Sequence, residues 1–419
     1  FPINDNVIRN LFERNNGRRR TLGEVKQATK NTLSSVYKLG FCLIGDPAVK
    51  MAYPEFGMKV TTVNGQSVDG NSISFKALEK ITVEGEVLDA SGQLVTDFTG
   101  IVNPTVKDSK VTVTCLKNSN KDDSPAFTFT DYPNTIFIGN DSVRNGKFSF
   151  TFTVPKDISY SNLQGKMNLY AVDTESGNEA QGNFDNFIVG GTSDTAETDT
   201  IGPEIRALYL NDTTFVDGGQ VNTTPYFVAE LWDKSGVNIT GSSVGHDMML
   251  VIDESTVLSY NLNSYYELLL GEDGTGIVKF PIPALEPGKH TAEFWVWDIL
   301  NNSTVRTFTF EVVEGLKPFL FDVIATPGIA REQVTFHLMH NRPESRMRVG
   351  IMVYDLAGRQ LWKHEESGTS GLFENYTVSW DLTSGGARMR PGVYIYRAAI
   401  STDNSKDATK ARKFIILGE

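Results

Sequence analysis

From Gly57 to its end the sequence runs in short alternating segments closed by Gly, Asn, Asp or Ser at roughly 8–12-residue intervals. Helical periodicity nearly disappears there, so each segment is a strand with one apolar face that needs a partner sheet to cover it. In NGKFSFTFTV (145–154), Phe148, Phe150 and Phe152 share one face, while Ser149, Thr151 and Thr153 share the other. In KITVEGEVLDASGQLV (80–95) a hairpin is expected over Ala90-Ser91-Gly92. Such patterning predicts β-sandwiches repeated along the chain. A length of 419 residues leaves room for about three domains.

Two stretches mark the divisions. GGTSDTAETDTIG (190–202) has no large apolar residue before Ile201 and suits an exposed linker, and EGLKP (314–318) combines a Gly with a Pro. The expected fold is therefore mainly β: three consecutive immunoglobulin-like β-sandwich domains at 57–189, 203–313 and 319–419, with a linker at 190–202. With 40% hydrophobic and 21% charged residues the chain is ordinary globular material. Its net charge of −12 argues against non-specific nucleic-acid binding, which needs clustered cations, and favours protein or glycan partners. No run of 18 apolar residues is present, so no segment is expected to cross a membrane as a helix.

Residues 1–56 read differently. Val7, Ile8, Leu11 and Phe12 lie on one helical face, and Thr21 with Glu24 forms a capping box ahead of a second amphipathic helix carrying Leu22, Val25, Ala28, Thr32 and Val36. A strand is expected at FCLI (41–44), stopped by Gly45-Asp46-Pro47. Two helices ending in one strand make the tail of an α/β domain, because a parallel strand needs neighbours and covering helices. The rest of that sheet is expected upstream of Phe1. FPINDNVIRN lacks the basic start and apolar stretch of a signal peptide, which fits a chain that begins within a longer one.

A weak repeat runs through YAVDTESGN (170–178), AELWDKSGVN (229–238), VWDILNN (296–302) and VYDLAGRQ (353–360). Each places an Asp at a strand end before a Gly- or Asn-bearing turn, where its carboxylate accepts backbone N–H groups two residues on. Asp173, Asp233 and Asp298 are also calcium candidates, although each turn alone offers only one or two of the six to eight oxygens that calcium takes. No other cofactor is expected. Cys42 and Cys115 sit in apolar, strand-like runs and read as small buried hydrophobes rather than nucleophiles. His246, His290, His337, His340 and His364 show no zinc or protease spacing. Adjacent His246 and Asp247 point apart on a strand, which leaves them to bond backbone groups. The cations of RNNGRRR (14–20) belong to a solvated loop or to a site for an anionic glycan or carboxylate. Trp362, Tyr394 and Tyr396 are either exposed anchors for a partner or core residues of the third sandwich.

GFCLIGDPAVKMAYP (40–54) resembles the close of the caspase-like domain of the gingipain family of cysteine peptidases. The stretches NGKFSFTFTVPKDISY, SGVNITGSSVGHD, LNSYYE and LEPGKHTAEFWVWDILNNS resemble the regions C-terminal to that domain in the family's type IX secretion sortases of Bacteroidota. VYDLAGRQLW, WDLTSGG and RPGVYIYR are similar to FlgD-like and type IX sorting domains. The resemblance implies that residues 1–56 are the remnant of a caspase-like domain. It implies a parent enzyme that removes the C-terminal sorting domain of secreted cargo and joins the new carboxyl end to anionic lipopolysaccharide through a Cys thioester, with a His as acid and base. The catalytic Cys and His would lie upstream of Phe1, so no catalytic residue is expected in this chain, which alone would be inactive. Implied partners are cargo sorting domains, anionic lipopolysaccharide and an outer-membrane barrel of the PorV type that holds the protein on the cell surface. Two alternatives stay open: a non-catalytic surface adhesion or glycan-binding module, and a secreted gingipain-like protease whose third sandwich is removed during export.

Overall fold

Apolar strand faces gather into three large cores that succeed one another along the chain. The computed structural model describes residues 2–15, 17–34, 36–117, 125–194, 199–241, 245–269, 274–402 and 405–418. The chain is mainly β.

In the first unit, Lys147–Thr153 pairs with Lys80–Leu88, and Phe148, Phe150 and Phe152 all point inward. Their rings stack along the strand and against Phe137, 4.7 Å from Phe152. The strand Lys166–Asp173 pairs with both Glu179–Phe184 and Gly100–Lys107, so the large sheet closes on itself. A second sheet of Leu163–Gln164, Phe187–Thr192 and Ile73–Ala77 seals the core through Phe187 and Phe75, 4.3 Å apart. At 80–95 the turn forms where expected, but the return is a single Leu88–Leu94 bridge rather than a full strand.

The second unit sets a four-stranded sheet (Glu204–Leu210, Tyr226–Trp232, Thr275–Pro281, Tyr266–Leu268) with a five-stranded one built around Gly288–Trp297 and Ser303–Val312. Phe227, Phe294 and Phe308 meet in its centre. The third pairs Leu320–Thr326, Val334–His340 and Tyr376–Trp380 as one sheet; Met347–Tyr354, Gln360–Gly368, Gly392–Ser401 and Ala408–Ile416 belong to the other.

The first two units meet through both polar and apolar contacts: Lys156 N–H donates to the Ile299 carbonyl at 2.8 Å, the Asp157 carboxylate receives His246 Nδ1 at 2.6 Å and Asn301 Nδ2 at 2.9 Å, and Ile138 of the first unit packs on the core of the second. Between the second and third, Leu372 packs on a small cluster of Tyr209, Val228 and Ile277.

Residues 190–192 continue the strand Phe187–Thr192, so the linker is shorter than the composition of 190–202 suggests, and its residues 195–198 lie outside the described residues. Helix α1 (Pro2–Phe12) and helix α2 (Leu22–Thr32) form where expected, with Thr21 and Glu24 satisfying each other's backbone N–H groups. Helix α2 stops at Thr32, and Val36 falls in a separate short turn, Val36–Gly40, where it is exposed. FCLI is not a strand: among the described residues no neighbouring strand reaches 41–44, and a lone extended segment has no ladder to satisfy its backbone. Cys42 is accordingly exposed rather than buried. Cys115 comes after a strand, Val111–Thr114, that pairs only with Thr128–Asp131 in a ribbon apart from the core, which leaves the thiol half-buried. Both thiols are free.

Candidate metal centre and docking surfaces

The four repeated aspartates all make the expected turn. Asp173 Oδ1 accepts N–H bonds from Glu175 and Ser176, Asp233 Oδ1 from Ser235 and Gly236, Asp298 Oδ1 from Leu300 and Asn302, and Asp355 Oδ1 from Ala357 and Arg359. Asp89, in VLDASGQ, does the same with Ser91 and Gln93; it shares the Asp-to-Gly spacing of Asp233 and Asp355 in the sequence.

Identical turns have opposite acidities. Asp173 is lowered to about 2, because the N–H groups of Ser176 and Thr99 outweigh the loss of water. Asp355 is lowered too, first by the Arg359 N–H and then by its guanidinium. Asp233 is raised to about 6 by burial, with the like charges of Asp298 and Asp199 adding to it, and burial likewise raises Asp298. The structure brings Asp233 and Asp298 together with Asp199, a residue the repeat does not contain: one carboxylate oxygen from each lies within 4.8 Å of the others. Asp199 reaches the pair because its Oδ2 accepts from Ser235 Oγ at 2.7 Å and its carbonyl from Asn302 Nδ2 at 3.1 Å. Asp173, at the end of a first-unit strand, is not part of this group. Converging carboxylates are ligand chemistry for a hard cation.

The remaining candidates separate clearly. His246 and Asp247 do not pair: Asp247 Oδ1 accepts from Asn263 Nδ2 at 2.7 Å while His246 crosses to Asp157. His290 has Nδ1 2.6 Å from Asp253 and Nε2 2.8 Å from the Glu286 carbonyl, so neither ring nitrogen is left for a substrate. Half-buried His340, lowered to about 4 by desolvation, contacts Ser370. The cations of RNNGRRR are used within the chain: Arg14 and Arg19 meet Glu55, Arg18 meets Glu24, Arg20 meets Glu13, and Arg19 lies over the Tyr53 ring. They act as an internal brace rather than an open anion site.

Tyr394 and Tyr396 are core residues, not exposed anchors. The Tyr396 hydroxyl donates across the sandwich to the Val323 carbonyl at 3.0 Å, and the Tyr394 hydroxyl donates to the Arg390 carbonyl at 2.7 Å. Trp362 is partly buried and stacks 4.4 Å from Trp380. Exposed apolar surface lies elsewhere. Phe127, Phe129 and Leu116 stand out on the ribbon of the first unit, with the two rings 6.4 Å apart. Along residues 7–51, Ile8, Phe12, Val36, Leu39, Phe41 and Ile44 are exposed, Ile44 at 97%, and Phe41 also lines a 250 Å³ cavity between α1 and α2. Alternating patterns give the first set no signal, whereas Ile8 and Phe12 of the second were legible as one face of a helix.

No protein-family model and no curated protein sequence matches the chain. Among solved structures, the dimeric latent PorU of Porphyromonas gingivalis is 37% identical over 98% of this chain, with a TM-score of 0.42. The match covers 39% of PorU, so the chain spans about two fifths of that protein's length. The tetra-tandem repeat from the extending region of a large adhesion protein is 14% identical over 87% of this chain and 74% of its own, at a TM-score of 0.18. The surface glycan-binding protein SGBP-B of Bacteroides ovatus, solved with a mixed-linkage heptasaccharide, is 9% identical over 86% and 70%, at 0.24.

Proposed function

We propose that this chain is the C-terminal region of a PorU-type cell-surface cysteine peptidase, which cleaves sorting domains from type IX secretion cargo and transfers the cargo to anionic lipopolysaccharide. The carrying observation is the 37% identity to PorU over 98% of the chain. In this reading residues 1–56 close the peptidase domain. Their apolar side, with Ile8, Phe12, Leu39 and Ile44 exposed, is the surface on which the upstream sheet packs. The Cys–His pair belongs to that upstream part. Cys42 and Cys115 take no part in chemistry. The three sandwiches are a spacer, and the last one docks on an outer-membrane barrel of the PorV type.

Deletion of residues 319–419 from the whole protein in the producing cell tests the division of labour. The expected result is protein released from the cell surface that still cleaves a reporter carrying a C-terminal sorting domain in solution. Protein that stays on the surface after the deletion would remove the docking role, and an intact parent that leaves the reporter uncut would remove the peptidase reading.

A further inference from the structure

We propose that Asp199, Asp233 and Asp298 form a binding site for a calcium-class divalent cation that fastens the segment between the first two units onto the second. The three carboxylates come from three places: the interdomain segment, the turn after Tyr226–Trp232 and the turn after Gly288–Trp297. Asp233 is 4% exposed and Asp298 0%, and neither makes an ion pair among the described residues. Two buried like charges without a counter-ion are costly. Each is nevertheless held in place by its own turn, so the oxygens are preorganised.

A second observation, independent of the acids, points to a ligand. Tyr266 is 5% exposed and its hydroxyl has no hydrogen-bond partner. Its ring crosses Gly276, where an added Cβ would lie 2.3 Å from the phenol oxygen. Gly276 pairs with Leu231, so the ring heads toward the strand that ends at Asp233, and the charge acting on the phenol is that of Asp233. Tyr266 and Asp233 line one cavity of about 260 Å³ at the junction with the first unit. An unbonded buried hydroxyl is a rare and costly feature. A metal-bound water beside Asp233 gives it an acceptor.

The donor set is all oxygen and anionic, which selects a hard cation. Asp233 Oδ1 takes both N–H bonds of its turn, leaving Oδ2 for the ion. Three carboxylates held by separate turns, completed by waters, suit calcium's loose six-to-eight coordination better than the strict octahedron of magnesium. The inference does not depend on the peptidase reading.

The test uses the full 419-residue chain stripped with chelator: terbium luminescence excited through tryptophan, competed with calcium, and melting with and without calcium. Expected are saturable binding of one equivalent, displacement by calcium, and a melting temperature several degrees higher with the ion. Asp298→Asn and Asp199→Asn should each weaken binding at least roughly ten-fold, as loss of a ligand or its support does. Asp173→Asn, the same turn outside the three-carboxylate group, should leave it unchanged. Asp199 is only partly buried, so its variant keeps the test decisive if Asp298→Asn does not fold. Absence of binding, or binding indifferent to Asp199→Asn, overturns the proposal.

Discussion

At the scale of single residues, Asp173 and Asp233 show how the same local hydrogen bonds acquire opposite meanings from their surroundings. With its folded pKa raised to about 6, Asp233 supports the native state only while protonated. Its contribution is present below the unfolded value of about 4 and is lost as pH rises through about 6. In chelator, Asp233→Asn keeps the Oδ1 acceptor and removes the charge. It should therefore be more stable than wild type at pH 8, by on the order of 2 kcal/mol, and no more stable at pH 4, measured by denaturant unfolding. Calcium should reverse the pH 8 order. Tyr396 supplies a simpler case: Tyr396→Phe strips the donor from the buried Val323 carbonyl and should cost about 1 kcal/mol, read as a lower unfolding midpoint without a change in slope.

At the scale of elements, the helical hairpin tests whether residues 1–56 belong to something larger. Ile44→Ser and Leu39→Ser alter side chains that are largely exposed, so in this chain alone each should change stability by less than about 0.5 kcal/mol. Joined to the upstream region, both variants should become sensitive to proteolysis around 41–46 while wild type resists. Equal resistance of variant and wild type would show that this face is not covered.

Elements were legible where the sequence carries a strong local rule. The alternating Phe148, Phe150 and Phe152 fixed their own face, and Thr21 with Glu24 marked the helix start, because both depend on neighbours a few residues away. FCLI failed because apolar composition does not supply a partner strand, and the fate of Cys42 failed with it. The third member of the acidic group was hidden for a related reason. Asp199 lies in a segment whose composition reads as linker, and only the folded path past Ser235 and Asn302 brings it to Asp233 and Asp298.

At the scale of the whole molecule, two cores in series separate a helical N-terminal end from a terminal sandwich that spends Tyr394 and Tyr396 on its own core. Docking through that sandwich must then use its outer faces rather than Tyr394 or Tyr396. The central claim is that this chain works as the C-terminal part of a larger surface peptidase. The most direct measurement is the intact mass of the native polypeptide recovered from the cell envelope, with peptide coverage at both ends of this chain. The account predicts one polypeptide that extends several hundred residues upstream of Phe1 and still contains Phe414 to Leu417. A native protein that begins at Phe1 with no upstream partner attached, or one that has lost its last sandwich at the surface, would contradict it.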